Sequence, residues 1–148
     1  MQKHLFAVTG KGTCGKTTVI KKINELYKPI FEQHGFQITD VKQYAGRDIA
    51  YLYTHPKGIK IGIFSHGDTA SIIRKYCNIL QDCDVILCAS RHTKPQFSAV
   101  REICQKQNRF LHTLHKTGMH KTDPTEDDSW VIEQFKQKTK DLFSSLLP

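Results

Sequence analysis

Eight residues, Gly10-Lys11-Gly12-Thr13-Cys14-Gly15-Lys16-Thr17, constrain this chain more than any other segment. Closely spaced glycines let a backbone turn through conformations closed to other residues, so that successive N–H groups point into one concavity. Before them, His4-Leu5-Phe6-Ala7-Val8-Thr9 is short and apolar, as a buried strand is. After them, Lys16 to His34 carries Val19, Ile20, Ile23, Leu26, Tyr27, Ile30 and Phe31 at helical spacing, a stripe that must lie on a sheet. A buried strand that passes through a glycine turn into such a helix opens an α/β layered domain. The segment also meets the pattern G-x-x-x-x-G-K-[ST] at every fixed position. Its backbone N–H groups and the positive end of the following helix attract phosphate oxygens. In such a loop Lys16 reaches the β- and γ-phosphates of a nucleotide and the Thr17 hydroxyl ligates Mg²⁺, with Thr18 next in line.

The rest of the chain alternates in the same way. Phe36 to Val41 reads as a second strand, and Asp48 to Tyr53 and Ile59 to Phe64 as two strands joined through Thr54-His55-Pro56-Lys57-Gly58, a hairpin. Thr69 to Gln81 and Pro95 to Gln107 have helical periodicity; Asp84 to Ser90 and Phe110 to His115 read as strands. Thr117 to Asp128 reads as a loop and Trp130 to Leu147 as a closing helix. Pro29 is expected to kink the first helix or end it early, and Gly35 to stop it. The sum is a mainly parallel sheet with one β-hairpin, in one domain spanning residues 1–148. The longest apolar run, Val85 to Ala89, is far short of the roughly 20 residues a membrane span requires. The N-terminus has no secretory pattern, and five cysteines without a C-x-x-C pair suit reduced thiols, so a cytoplasmic protein is expected.

On the residues Gly10 to Thr17 and the strand–loop–helix start, the chain resembles the P-loop NTPase superfamily, of which this pattern is the Walker A motif. The resemblance implies a three-layer α/β/α Rossmann-like sandwich and binding of ATP with Mg²⁺ by Gly10, Lys11, Gly12, Thr13, Cys14, Gly15, Lys16, Thr17 and Thr18. Lys11 adds a likeness to the deviant Walker A of the chromosome-partition and nitrogenase iron-protein ATPases, in which an extra lysine reaches the nucleotide of a partner subunit. That likeness implies a homodimer, although Thr13 stands where those proteins have another glycine. The chain is also similar to small P-loop proteins with a later S-x-G-D, here Ser65-His66-Gly67-Asp68.

A carboxylate is needed beside Mg²⁺, and the sequence offers two candidates. Asp68 follows the apolar run Ile59 to Phe64, either as a metal-side carboxylate or as the N-cap of the next helix. Asp40, which closes the second strand, is the alternative metal ligand; Asp84 begins its strand and belongs to the opposite sheet edge. Ligands in such sheets sit beyond the strand C-termini, which singles out Thr9, Asp40, Ser65 to Asp68, Ser90-Arg91 and His115-Lys116 as one rim. Arg91 there is placed to neutralise charge on transferring phosphoryl oxygens, or is a surface arginine. A histidine beside this rim, His66, is of a type that suits proton transfer, or is a hydrogen-bonded loop histidine. His112, His115 and His120 with Cys104 lack zinc-site spacing.

The formal charge is +8, and between Arg91 and Lys121 seven cations face only Glu102, before the acidic residues Asp123, Glu126, Asp127 and Asp128. Such a balance attracts polyanions. Two function classes follow. One is a small kinase-like phosphotransferase or ATP hydrolase, with Lys16, Asp68 and Arg91 as catalytic residues and a small-molecule phosphoryl acceptor. The other is a nucleotide-dependent switch or binding module whose partner is a protein or nucleic acid. ATP is expected over GTP because no N-K-x-D is present; no membrane partner is expected.

Overall fold

The computed structural model describes residues 2–10, 15–43, 46–93, 95–116 and 124–148. Strands β1 (Lys3–Gly10), β2 (Gln37–Asp40), β3 (Ala50–Thr54), β4 (Lys60–Phe64), β5 (Val85–Arg91) and β6 (Arg109–His115) form one sheet in the order β2-β3-β4-β5-β1-β6. The four strands from β4 to β6 run parallel, and β3 runs against both its neighbours. The fold is therefore α/β with a mixed, largely parallel sheet and the expected β3–β4 hairpin.

Strand alternation distributes the helices. Phe6, Val8, Leu87 and Ala89 face one side, where α1 (Lys16–Gln33) and α4 (Pro124–Leu146) cover them with Ile20, Ile23, Phe31, Phe135 and Phe143. Leu5, Ala7, Ile86 and Cys88 face the other, under Ile73 and Cys77 of α2 (Ala70–Ile79) and Val100 and Ile103 of α3 (Gln96–Lys106). Helices thus lie on both faces. Among the described residues no helix is long and apolar enough to cross a membrane.

Helix α1 does not end at Pro29 but continues to Gln33. An interior proline costs about 3 kcal/mol. Tyr27 and Phe31 are buried on either side of it, and burying a large apolar side chain contributes about 1.5–3 kcal/mol each. Their ring contacts with Phe135, Phe143 and Tyr53 add to that, so packing outweighs the lost backbone bond. Gly35 then stops the helix as expected. It adopts φ 92°, and the N–H groups of Gly35 and Phe36 donate to the carbonyls of Glu32 and Phe31, at 3.0 Å each, a paired closure of the last turn. Helix α4 begins at Pro124, earlier than the periodicity indicated, so 124–128 is helical rather than loop. The rest of that expected loop, Thr117 to Asp123, lies outside the described residues.

At the β1–β6 pair, His4 Nδ1 stands 3.0 Å from His112 Nε2, and the His112 ring stacks on Phe6 with centroids 4.3 Å apart. Burial holds both imidazoles below their ordinary 6.5, with Arg109 acting further on His4 and with His4 and Lys138 on His112. The unfolded chain then binds protons that the folded one refuses, so stability present above about pH 6.5 is lost as the pH falls below it. The midpoint of thermal unfolding should be level above pH 7 and drop on acidification, with a shallower drop in His112→Gln; an unchanged slope in the variant would place the titration elsewhere.

Candidate functional site

The turn from β1 into α1 is described from Gly15 onward; Lys11, Gly12, Thr13 and Cys14 lie outside the described residues. Gly15 has φ 89°, a left-handed conformation that glycine adopts without strain, and its carbonyl accepts the first helical bond from Val19. Space demands glycine there as well. A Cβ on Gly15 would lie 3.2 Å from Lys116 Cε. Lys116 is buried, and its Nζ donates to Asp128 Oδ1 at 2.6 Å, while Lys22 Nζ on α1 donates to Asp128 Oδ2 at 2.7 Å. One carboxylate on α4 therefore joins β6, α1 and the loop's exit.

Lys16, Thr17 and Thr18 open α1 and line a cavity of about 270 Å³. The residue that organises this cavity is Asp48, to which the alternating pattern assigns the first position of a strand. Strand β3 starts only at Ala50, so Asp48 is free of the ladder. Its Oδ1 accepts from Thr17 Oγ1 at 3.0 Å and from Ser65 Oγ at 2.9 Å, and its Oδ2 lies 3.7 Å from His66 Nδ1. Ser65 is buried and also accepts the Ile49 N–H, with Oγ 2.9 Å away, which locks the lead into β3 against the exit of β4. Antiparallel pairing of Ala50 with Phe64 is what brings these two segments together.

Asp68 lines the same cavity, and Gly67 explains how it arrives there. A Cβ at Gly67 would fall 1.9 Å from the Ala89 carbonyl oxygen, so the chain leaving β4 lies directly on the end of β5, as only glycine permits. Gln96 at the start of α3 then holds the Asp68 carbonyl through Nε2 at 2.9 Å. Asp68 is not the cap of α2. That role belongs to Thr69, whose Oγ1 accepts from the Ile72 N–H at 3.2 Å.

The other candidates are dispersed. Asp40 closes β2 at the sheet edge, four strands from β1, or about 19 Å at ordinary strand spacing, and its carboxylate accepts the Lys42 N–H. It is not among the residues that line the cavity. Arg91 ends β5 beside Gly10, is exposed, and also lies outside that lining. Lys21 and Arg47, neither singled out from sequence, do line it. The basic stretch does not form one face: Arg109 donates to the carbonyls of Leu80, Gln81 and Cys83 at the opposite sheet edge, and Lys116 is buried. Among the described residues no three His, Cys, Asp or Glu side chains cluster as a metal site. The described cysteines are buried, with the thiols of Cys77 and Cys83 pushed up to about 12 by burial. No family model, curated protein or solved structure matches the chain.

Two stability measurements test this scaffold. Asp128→Asn leaves the Lys116 ammonium buried without its carboxylate and should cost about 3 kcal/mol in chemical denaturation. Lys22→Ala, whose side chain is 41% exposed, should cost under about 1 kcal/mol. Gly67→Ala must displace backbone and should cost about 1–3 kcal/mol by the same assay; a neutral result there would show that the β4 exit has room to move.

Proposed function

We propose that this chain binds a Mg²⁺-nucleotide, ATP by default, at a phosphate-binding loop of the P-loop NTPase kind, within a three-layer Rossmann-like sandwich, and that it transfers or hydrolyses the terminal phosphoryl group. One observation carries the reading: the Thr17 hydroxyl, directly after Lys16 at the start of α1, donates to the Asp48 carboxylate at 3.0 Å. A hydroxyl held by a carboxylate at a helix N-terminus that follows a glycine turn joins the partners of a phosphate-bound divalent cation. Mg²⁺ takes oxygen ligands, keeps several waters and needs only one or two carboxylates besides phosphate oxygens. Thr17, Asp48 and Asp68 fit that requirement without a dedicated cage. Bound there, Mg²⁺ would supply charge neutralisation on the phosphate oxygens.

The chain's own groups have separable parts in this reading. Lys16 offers a cation at the helix start, where the backbone N–H groups already favour an anion. Asp48 keeps the Thr17 hydroxyl turned toward the cavity, because its Oδ1 is shared with Ser65 and so fixed from two sides. Asp68, pinned through its carbonyl by Gln96, contributes the second carboxylate. The buried free thiols accord with a reducing, cytoplasmic setting.

A thermal-shift titration with ATP and GTP, with and without Mg²⁺, tests the proposal. At 100 times its dissociation constant a ligand specific for the native state adds about 2.7 kcal/mol. Wild type should show a Mg²⁺-dependent rise, larger with ATP. Lys16→Ala should abolish it. Asp48→Asn retains an oxygen acceptor for Thr17 but not the charge, and should lose the Mg²⁺-dependent part alone. An undiminished rise in Lys16→Ala would overturn the assignment.

A further inference from the structure

Two cations in the cavity are left over from the nucleotide reading. Lys21 lies one helical turn beyond Thr17, on the same face of α1 and about 6 Å further along the axis. Arg47 directly precedes Asp48, and both side chains line the cavity with Lys16, Thr17 and Asp68. Neither Lys21 nor Arg47 makes a hydrogen bond or ion pair with another described residue, although Asp48 and Asp68 share the cavity with them. Asp48 does not satisfy Arg47 because its oxygens face Thr17, Ser65 and His66. Their neighbours on the same scaffold are engaged: Lys22 and Lys116 share Asp128.

We propose that Lys21 and Arg47 form a second oxyanion subsite in this cavity, which binds the phosphate group of a small phosphomonoester co-substrate beside the nucleotide. The inference rests on the nucleotide reading, since it assigns Lys16 and Thr17 to the first ligand. Charge decides the ligand class. A phosphomonoester carries about 1.5 to 2 negative charges at neutral pH, which two cations match. The planar fork of Arg47 suits two oxygens of one phosphate, and the Lys21 ammonium supplies a point charge from the helix side.

The test uses wild type and the double variant Lys21→Ala/Arg47→Ala, both saturated with Mg²⁺ and a non-hydrolysable β,γ-imido ATP so that the loop is occupied. Calorimetric titration with glycerol 3-phosphate is compared with glycerol at matched ionic strength. Loaded wild type should bind glycerol 3-phosphate at least tenfold more tightly than glycerol, and the double variant should lose that preference while keeping its thermal shift with the Mg²⁺-nucleotide. Equal binding of the two probes by wild type, or an undiminished preference in the variant, would overturn the subsite and leave nucleotide binding intact. Absence of any nucleotide shift in wild type would instead remove the reading beneath it.

Discussion

Everything at this site turns on a single carboxylate oxygen. Asp48 Oδ1 receives the hydroxyls of Thr17 and Ser65, and through them it joins the start of α1, the lead into β3 and the exit of β4. Hydrogen bonds to a charged acceptor contribute about 1.5–3 kcal/mol each, more than neutral ones. The pair is therefore strong enough to hold three segments whose chain positions are 17, 48 and 65 in one arrangement. Ser65 is oriented in turn by the Ile49 N–H, so one of the two donors to this oxygen is itself held by backbone.

The direction of β3 makes this junction available. In a fully parallel sheet only strand ends reach the ligand-binding edge, and the residues that begin a strand lie at the far side. Because β3 runs backwards, its beginning meets the end of β4, and the connection from β2 delivers Arg47 and Asp48 to the edge where α1 starts. A hairpin that looks like a decoration on a parallel core is thus the means by which an acid and a base enter the cavity.

Much of the fold was legible because it is written in local patterns. The apolar run from His4 to Thr9, the stripe along α1 and the glycine stop at Gly35 each have a local physical cause, and each appears close to its expected place. The candidate site was legible only in part. Lys16, Thr17 and Asp68 share the cavity. Asp48 escaped notice because it abuts an alternating run and reads as its first residue, and because the rule about strand ends does not cover a reversed strand. Asp40 misled for the opposite reason: it ends a strand, but one placed at the outer edge by a pairing order that no local pattern encodes. Lys116 reads from sequence as part of the ligand rim and Asp128 as a loop charge, since nothing in a sequence shows that two ions 12 residues apart will be buried together.

The bridge from Asp128 to both Lys22 and Lys116 has a mechanical meaning. Of the two ammonium groups on this carboxylate, the buried Lys116 is the stiff tie and the partly exposed Lys22 the loose one. Lys116 rests against Gly15, and Lys22 rides on the helix that Gly15 begins. The last helix of the chain is consequently geared to the first turn of the first one. A displacement at Gly15 would therefore press on Lys116 and, through Asp128, on α4.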